Sequence, residues 1–326
     1  MKKRKPAVML VPIARPGGLV PGDLIEKAQE YARAAEAPST LRTYASSWKV
    51  FTRWCRATGL NPLPADPETI VAFIAAQGDR IRPVTIKKIC TAISQAHTLM
   101  GFTSPTQTEP VRLTLQGLRR LKGVAPVQKK ALRTEYIRRV FATMPDTLIG
   151  KRDSALLLLG FVTGLRRSEL AALNIEDIIF EPEGAVLTIR KGKRDQEGRG
   201  RRVPVPFGQQ EGLCPVRCLR RWTDAASIKD GPIFLRLDAG APRARLSGGA
   251  VAEIVKRAVA RAGLDPAVFG GHSLRRGFCS EAARLGAPER DIGRVTGHSS
   301  LAQLREYVEA GTVFQNAATN NLVRDL

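Results

Sequence analysis

Apolar residues recur at spacings of three and four between residues 22 and 122, and no strand-like alternation appears before residue 130. A period near 3.6 puts one apolar stripe on a helix, whereas a period of two puts one apolar face on a strand. The opening third is therefore expected to be a helical domain. Pro38-Ser39-Thr40 opens a helix with Leu41, Tyr44, Trp48, Phe51, Trp54 and Cys55 along one side. Asp66-Pro67-Glu68 opens the next, with Ile70, Val71, Phe73 and Ile74 apolar. Pro83-Val84-Thr85 opens another, with Ile86, Ile89, Ile93 and His97 on one side. Proline suits these starts, because the N–H it lacks has no partner in a first helical turn. A shorter helix is expected over residues 111–122, and an earlier one from Asp23, its cap, to Arg33.

After residue 130 the pattern becomes mixed. Helices are expected at 134–143, capped by Thr134, and at 153–163, 168–173, 215–226, 248–262, 273–285 and 289–295. Residues 185–190 alternate as a strand and 201–206 as its partner. The turn between them is charged: Lys191-Gly-Lys193-Arg-Asp-Gln-Glu-Gly-Arg-Gly200. The fold class is mainly α with a small β component (α+β). Residues 1–21, rich in proline, glycine and basic side chains, read as a loose arm. Residues 22–122 form the helical domain, 123–131 a linker, and 132–326 a second domain ending in a tail.

The chain of 326 residues carries 52 Lys plus Arg against 30 Asp plus Glu, a net charge of +22. The first 130 residues contribute +13 and the remainder +9, so both domains can face the same polyanion. A ribosomal or membrane-surface protein could share this charge. No run of eighteen apolar residues appears, so nothing reads as a membrane span. Pro12 and Arg15 break the short apolar stretch near the N-terminus, against a secretion signal. Five scattered cysteines suggest reduced thiols in the cytoplasm. Cys214 and Cys218 have no third or fourth ligand nearby in sequence, which argues against zinc.

The chemistry-bearing residues fall in a fixed order. Arg166 lies in Thr-Gly-Leu-Arg-Arg-Ser-Glu-Leu. Two of only three histidines lie late, His272 in Gly-Gly-His-Ser-Leu-Arg and His298 in Thr-Gly-His-Ser-Ser. Arg275 follows His272 by three residues, and Tyr307 follows His298 by nine. Attack on a phosphodiester concentrates charge on the non-bridging oxygens. Arginine forks bind such oxygens in pairs and stay protonated. An attacking tyrosine stores the energy of the broken bond in a phosphotyrosyl link, so rejoining needs no ATP. A lysine at a hairpin turn, Lys193 or Lys191, can protonate a leaving hydroxyl. No carboxylate cluster offers a two-metal site, and no phosphate-binding Gly-x-x-x-x-Gly-Lys-Ser/Thr loop is present.

The ordered set Arg166, Lys193, His272, Arg275, His298, Tyr307 resembles the active-site series of the tyrosine recombinase (phage integrase) family, over residues 22–326. Residues 164–170 match the family's Gly-Leu-Arg-x-Ser-Glu-Leu, with Glu169 its supporting acid. Gly192-Lys193-Arg-Asp-Gln-Glu-Gly-Arg-Gly200 is similar to the hairpin of some phage-type members, which favours Lys193 over Lys191 as the acid. The first domain resembles the Cre-like core-binding domain, chiefly through residues 39–55. The resemblance implies a site-specific recombinase that cuts and rejoins DNA through a 3′-phosphotyrosine and a four-way junction. It implies no cofactor and no metal.

It also implies a clamp on duplex DNA at short inverted repeats and a tetramer in the synaptic complex. The setting is cytoplasmic, on the nucleoid, without a membrane partner. Arg42, Thr43, Lys49, Lys87 and Lys88 would reach the major groove. Residues 309–326 would dock on a neighbouring subunit through Phe314 and Leu322. A type IB topoisomerase would use the same chemistry without strand exchange. A repressor descended from a recombinase would bind without cutting.

Overall fold

The computed structural model describes residues 27, 37–123, 129–190, 200–237, 244–298 and 301–313. The expected arm, the helix expected over 23–33, Lys191, Lys193, Phe314 and Leu322 lie outside the described residues. The chain divides into two compact units, Met1–Val127 and Gln128–Leu326.

Four α-helices build the described part of the first unit: α1 (Pro38–Thr58), α2 (Pro67–Gln77), α3 (Pro83–Leu99) and α4 (Glu109–Lys122). Each carries a proline in its first turn, as the sequence suggests for α1 to α3; α4 begins two residues before the expected 111 and so takes in Pro110. Phe51, Ile70, Phe73, Ile86, Ile89 and Ile93 close a single core. The Phe51 and Phe73 rings meet edge to face, centroids 5.3 Å apart, a favoured aromatic geometry. His97, fully buried, ends the α3 stripe. Its Nδ1 lies 2.8 Å from the Ile93 carbonyl, and its Nε2 accepts the Ala65 N–H at 2.9 Å. The ring thus ties α3 to the loop entering α2 and leaves neither nitrogen unpaired.

The second unit holds α5 (Thr134–Ala142), α6 (Leu148–Thr163), α7 (Arg167–Ala172), a sheet of β1 (Ile178–Glu181), β2 (Gly184–Ile189) and β3 (Arg201–Pro206), then α8 (Pro215–Ala225), α9 (Gly248–Arg261), α10 (Gly271–Arg284), α11 (Glu289–Thr296) and α12 (Leu301–Thr312). The sheet is antiparallel, in the order β1-β2-β3. Residues Ala155 to Gly160 of α6 are all buried, and α8 and α10 pack against this helix. Trp222 of α8 is fully buried and donates its indole N–H to the Ile233 carbonyl at 2.9 Å. No helix among the described residues is long and apolar enough to cross a membrane.

Several details differ from the expectation. β1 adds a third strand, whose short run Ile-Ile-Phe-Glu pairs across the turn Pro182-Glu183. α6 begins earlier than 153, because the Thr147 side chain accepts the Gly150 N–H at 3.1 Å and caps it. Thr134 is not the cap of α5 but its first residue, and its hydroxyl donates to Glu281 Oε2 at 2.8 Å. Lys129 and Lys130, read from sequence as linker, bond to the Ala267 and Val268 carbonyls of the second unit.

Candidate active site

The site forms where four helix ends and one strand start converge. α6 stops at Gly164, in the left-handed region at φ 57°. A Cβ there would lie 2.7 Å from the Phe278 ring, so the turn demands glycine on both counts. This tight stop delivers Arg166 to the N-cap of α7. Its NH1 donates to Glu169 Oε1 at 2.6 Å and its NH2 to the Gly297 carbonyl at 2.9 Å. Glu169 also accepts the Arg166 backbone N–H at 3.0 Å, closing the cap.

Glu169 is 5 % exposed and serves a second arginine. Arg201, the first residue of β3, donates from NH2 to Glu169 Oε2 at 2.7 Å and from Nε to the Val295 carbonyl at 3.0 Å. Burial pushes the Glu169 carboxyl up. The hydrogen bonds and charge of Arg201, with the bonds from Arg166, outweigh that and hold it below the ordinary value. Arg201 was read from sequence only as the start of a strand. A signal was available: along β3 it shares the inward phase of Val203 and Val205, and an inward charge needs a partner.

α10 begins at Gly271 and carries His272, Arg275 and Arg276 in its first two turns. Arg275 is 2 % exposed. Its NH1 donates to the Gly164 carbonyl at 2.8 Å and the Thr296 carbonyl at 2.7 Å, joining the ends of α6 and α11. Burial first, and Arg166 next, push its pKa down to about 10, so it remains a cation at neutral pH. His272 Nε2 lies 3.1 Å from the Tyr307 hydroxyl. His272 is exposed at its outer edge, but desolvation by the atoms packed round its ring, then the charges of Arg275, Arg276, Arg166 and Arg167, hold the imidazole below its ordinary pKa. The neutral ring can accept the phenol proton.

His298 follows the left-handed Gly297 that ends α11. Its Nδ1 lies 2.7 Å from Thr296 Oγ1, which itself bonds to the Ile292 carbonyl at 2.7 Å. The threonine has one hydroxyl hydrogen and gives it to that carbonyl, so His298 Nδ1 is the donor of the first bond. Tyr307, on α12, is 4 % exposed, with its ring centroid 6.2 Å from that of His272 and 6.1 Å from that of His298. Burial raises the Tyr307 pKa, and the nearby Arg276 pulls it back.

Arg166, His272, Arg275, His298 and Tyr307 therefore come together in one place from three separated sequence segments. Lys193 and its alternative Lys191 lie outside the described residues. Arg42, Thr43 and Lys49 are exposed on α1, and Lys87 and Lys88 on α3, two helices that pack together in the first unit. No group of three or more His, Cys, Asp or Glu side chains with metal-binding geometry occurs among the described residues.

A phenol within hydrogen-bond reach of an imidazole whose pKa is held down, beside two arginines, is an arrangement that can support phosphoryl transfer to tyrosine. Comparison with known proteins agrees with that chemistry. Residues 130–312 match the model of the phage integrase family. An integrase/recombinase xerD homolog of Selenomonas ruminantium is 37 % identical over 303 residues, covering 91 % of this chain and 89 % of that protein. The chain belongs to the phage integrase family, and is a tyrosine site-specific recombinase that breaks and rejoins DNA. The fold is shared with XerH recombinase bound to palindromic difH substrate, at a TM-score of 0.61 and 18 % identity, over 91 % of this chain and 84 % of that one. It is also shared with a lambda integrase tetramer bound to a Holliday junction, at a TM-score of 0.58 and 17 % identity, over 87 % of this chain and 75 % of that one. Neither the binder without catalysis nor the topoisomerase reading is favoured by these relatives.

Proposed function

We propose that Arg166, Arg275 and His298 hold the scissile phosphate while Tyr307 attacks it. The Tyr307 Oη–phosphorus bond forms and the bond to the 5′ oxygen breaks. The phenol proton passes to His272, and Lys193 gives a proton to the leaving 5′ oxygen, with Lys191 the second candidate. A 5′ hydroxyl of the partner duplex then attacks the phosphotyrosine and frees the phenol. The observation that carries this reading is the 3.1 Å approach of the Tyr307 hydroxyl to His272 Nε2, in a cluster rich in arginine.

The wider setting belongs to the same proposal. Residues 22–122 are the core-binding domain, with 1–21 an arm and 123–131 a linker, and 132–326 the catalytic domain. Arg42, Thr43, Lys49, Lys87 and Lys88 contact the major groove. The exposure of all five on two neighbouring helices supports this. Four copies assemble on two inverted-repeat sites of a mobile element, in the cytoplasm and on the nucleoid. The palindromic substrate of the XerH complex and the tetrameric junction complex of lambda integrase support the assembly.

A nicked suicide duplex carrying the sequence that flanks the gene tests the reading. The wild type is expected to leave a protease-sensitive 3′ adduct on a denaturing gel, and Tyr307→Phe none. Specific binding with no adduct from the wild type would overturn it.

A further inference from the structure

On α10, His272, Arg276 and Ser280 stand four residues apart and so share one face. All three meet Tyr307. His272 Nε2 is 3.1 Å from its hydroxyl, the Arg276 guanidinium carbon sits 5.3 Å from its ring centroid, and Ser280 Oγ donates to its carbonyl at 3.0 Å. The helix grips oxygen, ring and backbone with three successive rungs. The first rung has a place in the chemistry and the third anchors main chain. The middle rung is so far unassigned.

Arg276 is itself held from behind. Its NH1 donates to the Lys129 carbonyl at 2.6 Å. That segment is fixed to the start of α10: Lys130 N–H bonds to the Val268 carbonyl at 2.8 Å and Leu132 N–H to the Ser273 carbonyl at 3.0 Å. Gly277 lets this segment lie close, since a Cβ there would come 2.1 Å from the Leu132 oxygen. Arg276 Nε is buried with no hydrogen-bond partner among the described residues. A buried unpaired donor costs free energy. Anchoring one backbone carbonyl is a poor reason to bear that cost, whereas placing a cation against an aromatic face is a good one.

We propose that Arg276 is a positioning residue for the reaction: braced by the Lys129 carbonyl, it presses its guanidinium on the Tyr307 ring and holds the phenol beside His272. This rests on the reading of Tyr307 as nucleophile. The cation opposes the effect of burial on the phenol, which supports the geometry. It favours the phenolate as charge develops on oxygen in the attack.

Single-turnover cleavage of the suicide duplex, followed from about pH 6 to 10, tests this with R276Q and R276K. DNA affinity is measured in the Tyr307→Phe background, where no bond breaks. R276Q is expected to cleave roughly tenfold more slowly, within the range of a partly desolvated cation–π contact, with unchanged affinity and a half-maximal rate at higher pH. R276K, which keeps the charge, is expected to return the pH profile towards wild type. A second readout needs no cleavage: NMR titration of the Tyr307 phenol in free protein should move to higher pH in R276Q. An unmoved titration and pH profile in R276Q overturn the proposal, whatever the rate. Lost DNA affinity also overturns it, by assigning Arg276 to the DNA. A wild type that forms no adduct would instead bring down the reading of the site, and a shifted phenol titration in R276Q would then still report the contact.

Discussion

At the scale of single residues, Glu169 is the pivot. It is a buried carboxylate shared by Arg166 and Arg201, so it sets where Arg166 can point. Glu169→Gln removes the charge and leaves two arginines crowded around a neutral amide. Losing one partner of a buried pair costs about 3 kcal/mol, and urea unfolding near neutral pH should show a loss on that scale. The carboxyl sits below its ordinary value of 4.5, so its contribution is whole above that pH and drains away as acid protonates it. The same loss should therefore shrink when the comparison is repeated in acid. His272 makes the opposite kind of test. Its imidazole is held below 6.5 in the free protein, so it charges only at a lower pH than an isolated histidine. NMR titration of the DNA-free protein should place its midpoint under that value; a midpoint above it would contradict the neutral acceptor invoked for the phenol proton.

At the scale of elements, the contact between α10 and α12 decides whether Tyr307 is in place. Gly311 lets the two helices close, because a Cβ there would fall 2.3 Å from the Ser280 carbonyl. Gly311→Ala must push α12 outward. A displacement of about 1 Å in a reacting group can cost on the order of a hundredfold in rate, so adduct formation should drop on that scale while DNA binding holds. Elements were also the level at which sequence reading worked best. The helices with a strong apolar stripe and a proline start, α1 to α3, were legible from period and punctuation together. β1 was not, because four residues give barely two repeats of an alternation and Ile179 points outward. The candidate residues Arg166, His272, Arg275, His298 and Tyr307 were legible through their order and neighbours. Arg276 and Ser280 were not, since each matters through a partner distant in sequence and a one-dimensional pattern carries no such pairing; Arg201 showed only its inward phase on β3, which does not name Glu169 as its partner.

At the scale of the whole molecule, charge governs encounter with DNA. The surplus of +22 is spread over both halves of the chain, so binding should be strongly salt-dependent. Neutralising about four phosphates would already weaken affinity roughly a hundredfold between about 50 and 200 mM salt. Replacing both Lys87 and Lys88 by alanine should lower the slope of log affinity against log salt by about two if each meets a phosphate. An unchanged slope would remove α3 from the proposed DNA surface. These substitutions leave the second unit untouched, so residual adduct formation at low salt separates loss of binding from loss of chemistry.

The three rungs on α10 have a consequence for how this enzyme can change over evolutionary time. A helix turns about 100° per residue, and the rungs sit at intervals of four. Replacing any one side chain weakens a single hold on Tyr307 and leaves the other two in phase. Inserting or deleting one residue between His272 and Ser280 would rotate everything beyond it off the tyrosine at once. The grip can drift in chemical identity, one position at a time, but its length is frozen.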